Sequence, residues 1–342
     1  MPSPERAGQR AGQPTIADVA ARAGVSLATV SRVMNGKRSV DESLAVRVRA
    51  AAEELNYSAS PLARSLVLGK TNTVAVVVPD LGNPTFHGVL RGLSHGAGEQ
   101  GYHVLIADSA ESVTDERILA VETRRRCDGI VLVSPRMAED DLQALLAELD
   151  PVVLVSRDAG ASTTTPVVTA DYEAGLRGLL DLLFDDGHRS MVFLSGNPQS
   201  ASNVRRLAAL DGFLRDRADV AIETLPCGVN FADGYDAADA VLATAATAVV
   251  AFNDLVAMGL LSALSERGVT VPQQLSVVGF DDIPFARYTT PPLTTAAVPV
   301  TELGEQAWRR MWRLLNREPA GEPLVFRPAI ERRGTSAPPS PR

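Results

Sequence analysis

The sequence predicts an all-α helix-turn-helix headpiece followed by an α/β core of two doubly wound, parallel-sheet lobes. Three observations carry that prediction. Residues 15–38, TIADVAARAGVSLATVSRVMNGKR, space apolar and small side chains as two short helices about a glycine. From residue 73 onward, short continuous runs of β-branched residues alternate with helical stretches, the mark of parallel strands covered on both faces. At 342 residues, the chain is also too long for a single ordinary core.

In the headpiece, Thr15 followed by Asp18 reads as a capping-box-like start. Ile16, Val19, Ala20 and Ala23 then form one narrow apolar face. Gly24 ends the helix, where a residue free to adopt positive φ is needed, and Ser26 caps the next. Val30 and Val33 turn back toward the first helix, leaving Ala28, Thr29, Ser31 and Arg32 outward. Two such helices cannot bury a core alone. A third is expected from Asp41, with Leu44, Val48, Ala51 and Leu55 on one face.

Residues 58–70, SASPLARSLVLGK, form the predicted hinge. Ser60 and Pro61 make a good helix start, but Gly69 follows after about two turns, so this helix is expected to form conditionally.

In the core, strands are expected at 74–78, 103–107, 129–133, 152–156, 167–169, 191–195, 248–252 and 275–280. Ligands of open α/β lobes sit beyond the carboxyl ends of strands. The residues to watch are therefore Asp80 to Phe86, Ser134, Arg157, Asp158, the loop from Gly196, Asn253, Asp254, Asp281 and Asp282. Carboxylates and amides with an aromatic among them suit a sugar or similar polyol, whose hydroxyls and C–H face need both.

Charge divides along the chain. Residues 1–70 carry ten Arg or Lys against six Asp or Glu, so the overall −8 leaves −12 on the remainder. A basic head on an acidic body favours docking on nucleic acid by the head. Cys127 and Cys227 form no paired motif, and the four histidines have no metal or triad spacing. GAGEQG at 96–101 fits a dinucleotide fingerprint by letter but closes a helix and precedes a strand, the reverse of what that chemistry needs. No signal peptide or membrane-spanning run is evident. The expectation is a cytoplasmic non-enzyme without cofactor or metal.

The string VSLATVSRVMNG, followed by LNYSASPLARSL, closely resembles the headpiece and hinge of the LacI family of bacterial transcription regulators. The resemblance implies a homodimeric regulator, in the usual case a repressor, that binds a palindromic double-stranded operator under control of a small-molecule effector, typically a carbohydrate. Ser26, Leu27, Ala28, Thr29 and Arg32 would face the major groove, and Thr15, Ser31 and Asn35 complete the headpiece's expected DNA contacts. Ala63 and Leu66 of the hinge would enter the minor groove, Leu66 as a wedge. Where the family often has proline, this chain has Ala59.

The resemblance also implies a periplasmic-binding-protein-like core. Asn83 and Phe86 fall in its NPFF-like motif, with Thr85 replacing the first aromatic. Ser202 and Arg206 match an S-x-x-x-R pattern, although Ala209 stands where glycine is usual and leaves Arg205 as an alternative. Asn253 and Asp281 match two further motifs. Val229 occupies the usual place of a stacking aromatic, for which Phe231 is the substitute. With Ser134 and Arg157, these complete the expected effector set. The expected organisation is a tail (1–14), headpiece (15–59), hinge (60–70), one lobe from 71–163 and 292–320, another from 164–291 and 321–335, and a disordered tail (336–342).

Overall fold

The computed structural model describes residues 14–34, 40–57, 69–160 and 164–340. The chain separates into two compact units, Met1–Thr71 and Asn72–Arg342. Of the expected DNA-contacting residues, Asn35, Ala63 and Leu66 lie outside the described residues, as do the first thirteen residues.

The first unit holds three helices, α1 (Ile16–Ala23), α2 (Leu27–Met34) and α3 (Glu42–Glu54). The capping box at Thr15 is formed: its hydroxyl accepts from the Asp18 amide, and its own amide donates to the Asp18 carboxylate at 2.8 Å. Gly24 ends α1 at φ 64°, and the Val25 amide closes back onto the Ala20 carbonyl at 3.1 Å. Ser26 accepts from the Thr29 amide and so starts α2. Val19, Val30 and Val48 are fully buried at the meeting point of the three helices. On α3 the buried face is Ala45, Val48, Ala51 and Ala52, with Leu44 only half-buried, a shift of one residue from the expected stripe.

The second unit contains two six-stranded sheets. The first is built from β1 (Thr73–Val78), β2 (His103–Asp108), β3 (Gly129–Val133), β4 (Val152–Val155) and β5 (Val167–Ala170). The second begins with β6 (Ser190–Ser195), β7 (Ala221–Pro226), β8 (Ala248–Ala251) and β9 (Ser276–Asp281). Of the last strands, β10 (Thr294–Ala297) and β12 (Ala329–Glu331) join the second sheet and β11 (Leu324–Phe326) joins the first. The orders are β11-β5-β4-β3-β1-β2 and β12-β10-β9-β8-β6-β7, parallel throughout except for β12 on β10.

This topology corrects the expected lobe boundaries. Residues 167–170, assigned by sequence to the second lobe, pair with β4 in the first. Residues 294–297, assigned to the first, pair with β9 in the second. Residues 324–326 return to the first sheet while 329–331 go to the second, so 321–335 is divided between lobes. The chain thus crosses between lobes three times, after β5, β10 and β11. The terminal segment 336–340 is also not a free tail: the Ala337 carbonyl accepts from the Ser276 hydroxyl at 3.1 Å and lies 3.0 Å from the His188 ring.

Helix α4 (Pro84–Glu99) packs against the long C-terminal helix at Val300–Leu315 through small residues. A Cβ on Gly92 would lie 2.0 Å from the Thr301 carbonyl oxygen, and one on Gly304 2.0 Å from that of Val89. The backbones therefore touch, and no side-chain rotation relieves an added methyl. Gly92→Ala is expected to lower core stability by about 1–3 kcal/mol, read as a lower thermal midpoint.

Candidate functional site

On the headpiece, Ser26, Leu27, Ala28 and Arg32 are exposed, and Thr29 and Ser31 are half-buried along the same helix. Thr15 is exposed at the start of α1. Leu27 is 52% exposed. Arg22 and Arg47 serve the fold instead: Arg22 pairs with Glu54 at 2.6 Å, and Arg47 donates to the Ala23 carbonyl at 2.5 Å.

In the core, a narrow cavity of about 40 Å3 lies between the lobes. Its walls come from residues just past the carboxyl ends of strands in both sheets, as the open α/β rule requires. The first lobe supplies Asn83, Thr85 and Phe86 after β1, Glu111 after β2, Ser134 and Arg136 after β3, and Ser156 after β4. The second supplies Ser202 and Arg206 from helix Ala201–Asp216, Phe252 and Asn253 after β8, and Asp281 at the end of β9. Seven of the nine expected effector residues are thereby brought together.

Arg206 dominates this wall. It is 2% exposed, and its guanidinium lies 3.8 Å from the Phe280 ring centroid, 4.5 Å from that of Phe252 and 5.1 Å from that of Tyr172. Its Nε and Nη1 are buried with no hydrogen-bond partner, and Nη2 stands 3.9 Å from Asp281, too far for a bond. Burial lowers the Arg206 pKa, opposed by the Asp281 charge. Unpaired buried donors are costly, and Arg206 is among the residues that line the cavity. Asp281 accepts from the Thr85 hydroxyl at 2.8 Å, a bond that joins the two lobes. Burial pushes its carboxyl up to about 6, with Arg206 and Thr85 acting in the opposite direction.

Several cavity residues sit in left-handed backbone: Ser134 at φ 49°, Ser156 at φ 57° and Asp281 at φ 111°. Such conformations are unfavourable without glycine and cluster where side chains must be aimed. Ala110 and Glu111, at φ 49° and φ 60°, form a fourth such turn, which carries Glu111 into the cavity. Sequence reasoning missed Glu111 and Arg136, because no local pattern marks a turn of this kind, and also Tyr172, the first residue of the helix Tyr172–Asp185.

Two expected residues are corrected. Arg157 does not line the cavity; the left-handed turn at Ser156 sends it sideways, where it pairs with Glu139 at 3.2 Å and borders a separate hollow. Phe231 is 46% exposed because Asn230 caps the following helix and leaves residue 231 at its outer first turn. Phe86, Tyr172 and Phe252 supply the aromatic surface instead. The alternative between Arg205 and Arg206 is also settled in position: Arg205 is outside, bonded to Asp158 and Glu173. Asn83 and Asn253 reach the cavity but also cap helices, through the Thr85 and Val256 amides at 2.9 Å each. Asp254 is an anchor, fully buried and accepting from Thr295 at 2.6 Å and Ile283 at 2.8 Å, with burial raising its pKa well above the usual range. Among the described residues no cluster of His, Cys, Asp and Glu fits a metal ion, and no helix is long and apolar enough to cross a membrane.

Beneath the cavity, Glu116 is 1% exposed and accepts from the Arg136 and Met137 amides, fixing the loop that presents Arg136. Burial raises its pKa to about 7, with those amides acting against the shift. A carboxyl raised on folding contributes stability at low pH and loses it as pH rises through the folded value. The core is therefore expected to lose up to about 3 kcal/mol between pH 4.5 and 8 from this group, and Glu116→Gln to flatten the dependence of thermal midpoint on pH.

Known proteins resemble this chain along most of its length. Residues 15–60 match the family described as bacterial regulatory proteins, lacI family, and residues 180–336 match the periplasmic binding protein-like domain. The chain is 32% identical over 337 residues to the HTH-type transcriptional regulator AscG of Escherichia coli (strain K12), covering 95% of this chain and 99% of that protein. It belongs to the lacI family of bacterial regulatory proteins. As a family member it is a sequence-specific DNA-binding transcription regulator, and its relatives carry the names of regulators and repressors, not of enzymes. A lac repressor dimer bound to operator and an anti-inducer superposes with a TM-score of 0.85 at 25% identity, over 95% of this chain and all of that one. A complex of the transcriptional regulator CelR with cellobiose gives 0.67 at 27% identity, over 94% and 99%.

Proposed function

We propose that this regulator is a homodimeric repressor whose operator affinity is set by a carbohydrate, or carbohydrate derivative, held between the lobes. One observation carries the reading: Arg206 presents two buried, unpartnered donors beside Asp281, at a junction that both lobes must complete. A sugar supplies paired hydroxyls that accept from one group and donate to the other.

The space is too narrow for a sugar ring, so binding requires the lobes to part. Side-chain hydrogen bonds that span them include Thr85 with Asp281 at 2.8 Å, Asn197 with Glu111 at 2.9 Å, and Arg205 with Asp158. A ligand hydroxyl on Asp281 replaces that of Thr85 and changes the spacing of the lobes, hence of the two headpieces in the dimer. DNA must then alter ligand affinity by the same factor as ligand alters DNA affinity.

Dimerisation is supported by the lac repressor dimer and by β2, an edge strand with Leu105 and Ile106 38% and 43% exposed. A bare apolar edge is normally covered. The expected DNA contacts are Ser26, Leu27, Ala28, Thr29, Ser31 and Arg32, with Thr15 at the phosphate backbone. The test is selection of a bound duplex from random DNA, followed by titration of that duplex against a carbohydrate panel. A palindromic consensus whose affinity changes with one sugar supports the reading; a consensus indifferent to every small molecule that binds the core contradicts it.

A further inference from the structure

Each cation lining the cavity is opposed by a carboxylate. Arg206 faces Asp281 from the same lobe, and Arg136 is held by Glu111 across the opposite wall. The second pair is the tighter one. Arg136 donates from Nε and Nη2 to the two Glu111 oxygens at 2.6 and 2.8 Å, and from Nη1 to the Ser134 carbonyl and hydroxyl at 3.0 and 2.9 Å. Four of its five donors are thereby committed within the wall. Asn197, from the other lobe, donates to the same carboxylate at 2.9 Å.

Glu111 accepts only. Of its roughly four lone-pair sites, three are taken, and what remains toward the cavity asks for a hydroxyl donor. A phosphate or carboxylate on the ligand is likewise acceptor-only. Against this wall it meets repulsion, and it finds Arg136 already occupied. Its approach to the free donors of Arg206 brings it against Asp281. The left-handed backbone at Ala110 and Glu111 places this carboxylate in the cavity at a conformational cost that a purely structural surface pair does not need.

We propose that the Glu111–Arg136 pair is a charge filter, making the cavity a site for uncharged polyols and excluding their phosphorylated and carboxylated counterparts. The filter rests on the effector reading given above. It concerns which member of a matched pair of ligands is admitted, a property set by Glu111.

The test is calorimetric titration of the full chain with glucose and cellobiose and with their 6-phosphate esters. The wild type is expected to bind a neutral member about a hundredfold or more tightly than its ester. Glu111→Gln, which leaves Arg136 without its counter-charge, is expected to narrow that gap about tenfold. Glu111→Gln combined with Arg136→Gln removes the pair without changing net charge and is expected to narrow the gap as well, because the repelling carboxylate is gone; a double-variant gap equal to the wild-type gap overturns the filter. If the single variant does not fold, the wild type and the double variant decide. An ester that binds wild type as tightly as its parent overturns the filter, as does a Glu111→Gln gap equal to the wild-type gap. Binding of neither class overturns the carbohydrate reading itself, an outcome separate from the first two.

Discussion

Arg206→Met is expected to abolish the effector response while leaving ligand-free operator affinity near that of the wild type. The substitution keeps the apolar stem against Phe280, Phe252 and Tyr172 and removes the donors that stand without partners. Each hydrogen bond from a charged donor to a ligand is worth about 1.5–3 kcal/mol, so losing two weakens binding on the order of a hundredfold or more. The folded state itself does not suffer in proportion. A buried guanidinium with two idle donors is a burden on stability, and methionine in its place is expected to raise the thermal midpoint of the ligand-free core. A variant that is less stable and binds ligand normally would assign Arg206 to the scaffold. Calorimetry and a melting curve distinguish the two.

Val30→Asp is expected to have an effect of similar size on the other function. Val30 is fully buried where the three headpiece helices meet, with Val19 and Val48. An unpaired carboxylate there costs about 4 kcal/mol or more, which a core this small does not withstand. Operator binding is expected to disappear, while the 72–342 unit keeps its melting transition and its ligand-induced shift. Retained operator binding would show that the helices do not form the reading head. A simultaneous loss of the core transition would show that the two units do not fold separately.

Much of this was legible from residue patterns. The headpiece follows from the spacing of Thr15, Asp18, Gly24 and Ser26, all local signals whose hydrogen bonds form as read. The buried strands announce themselves by continuous β-branched runs. Strand β7, AIETLP, does not, because it lies at a sheet edge and alternates half-buried with exposed residues. Strand β10 is made of Thr294, Thr295, Ala296 and Ala297, small and polar residues that read as a loop yet are largely buried, two of them satisfied by long-range hydroxyl bonds. Without β10 placed, nothing in the sequence says which lobe a crossing strand enters. Parallel pairing is a non-local property, and the lobe boundaries were misplaced for that reason.

The site divides in the same way. Asn83, Arg206, Asn253 and Asp281 follow strands or open helices at recognisable motifs and reach the cavity as expected. Glu111 and Arg136 depend on left-handed turns at alanine, glutamate and serine, residue types that do not advertise positive φ. Arg157 and Phe231 were misjudged by one turn of backbone each. At one, Ser156 rotates the chain; at the other, the Asn230 cap turns the ring outward. Topology was sufficient to find the cavity, and local backbone geometry decides which neighbours enter it.

The effector reading requires that a ligand bound in the cavity change the operator affinity of the headpiece. The most direct measurement is fluorescence anisotropy of a labelled operator duplex titrated with the full chain, with and without a saturating carbohydrate that binds the core. Wild type is expected to change operator affinity about 5–150-fold on ligand addition, and Arg206→Met at the same ligand concentration not to change. Superimposable wild-type isotherms, with ligand binding to the same sample shown by calorimetry, would contradict it.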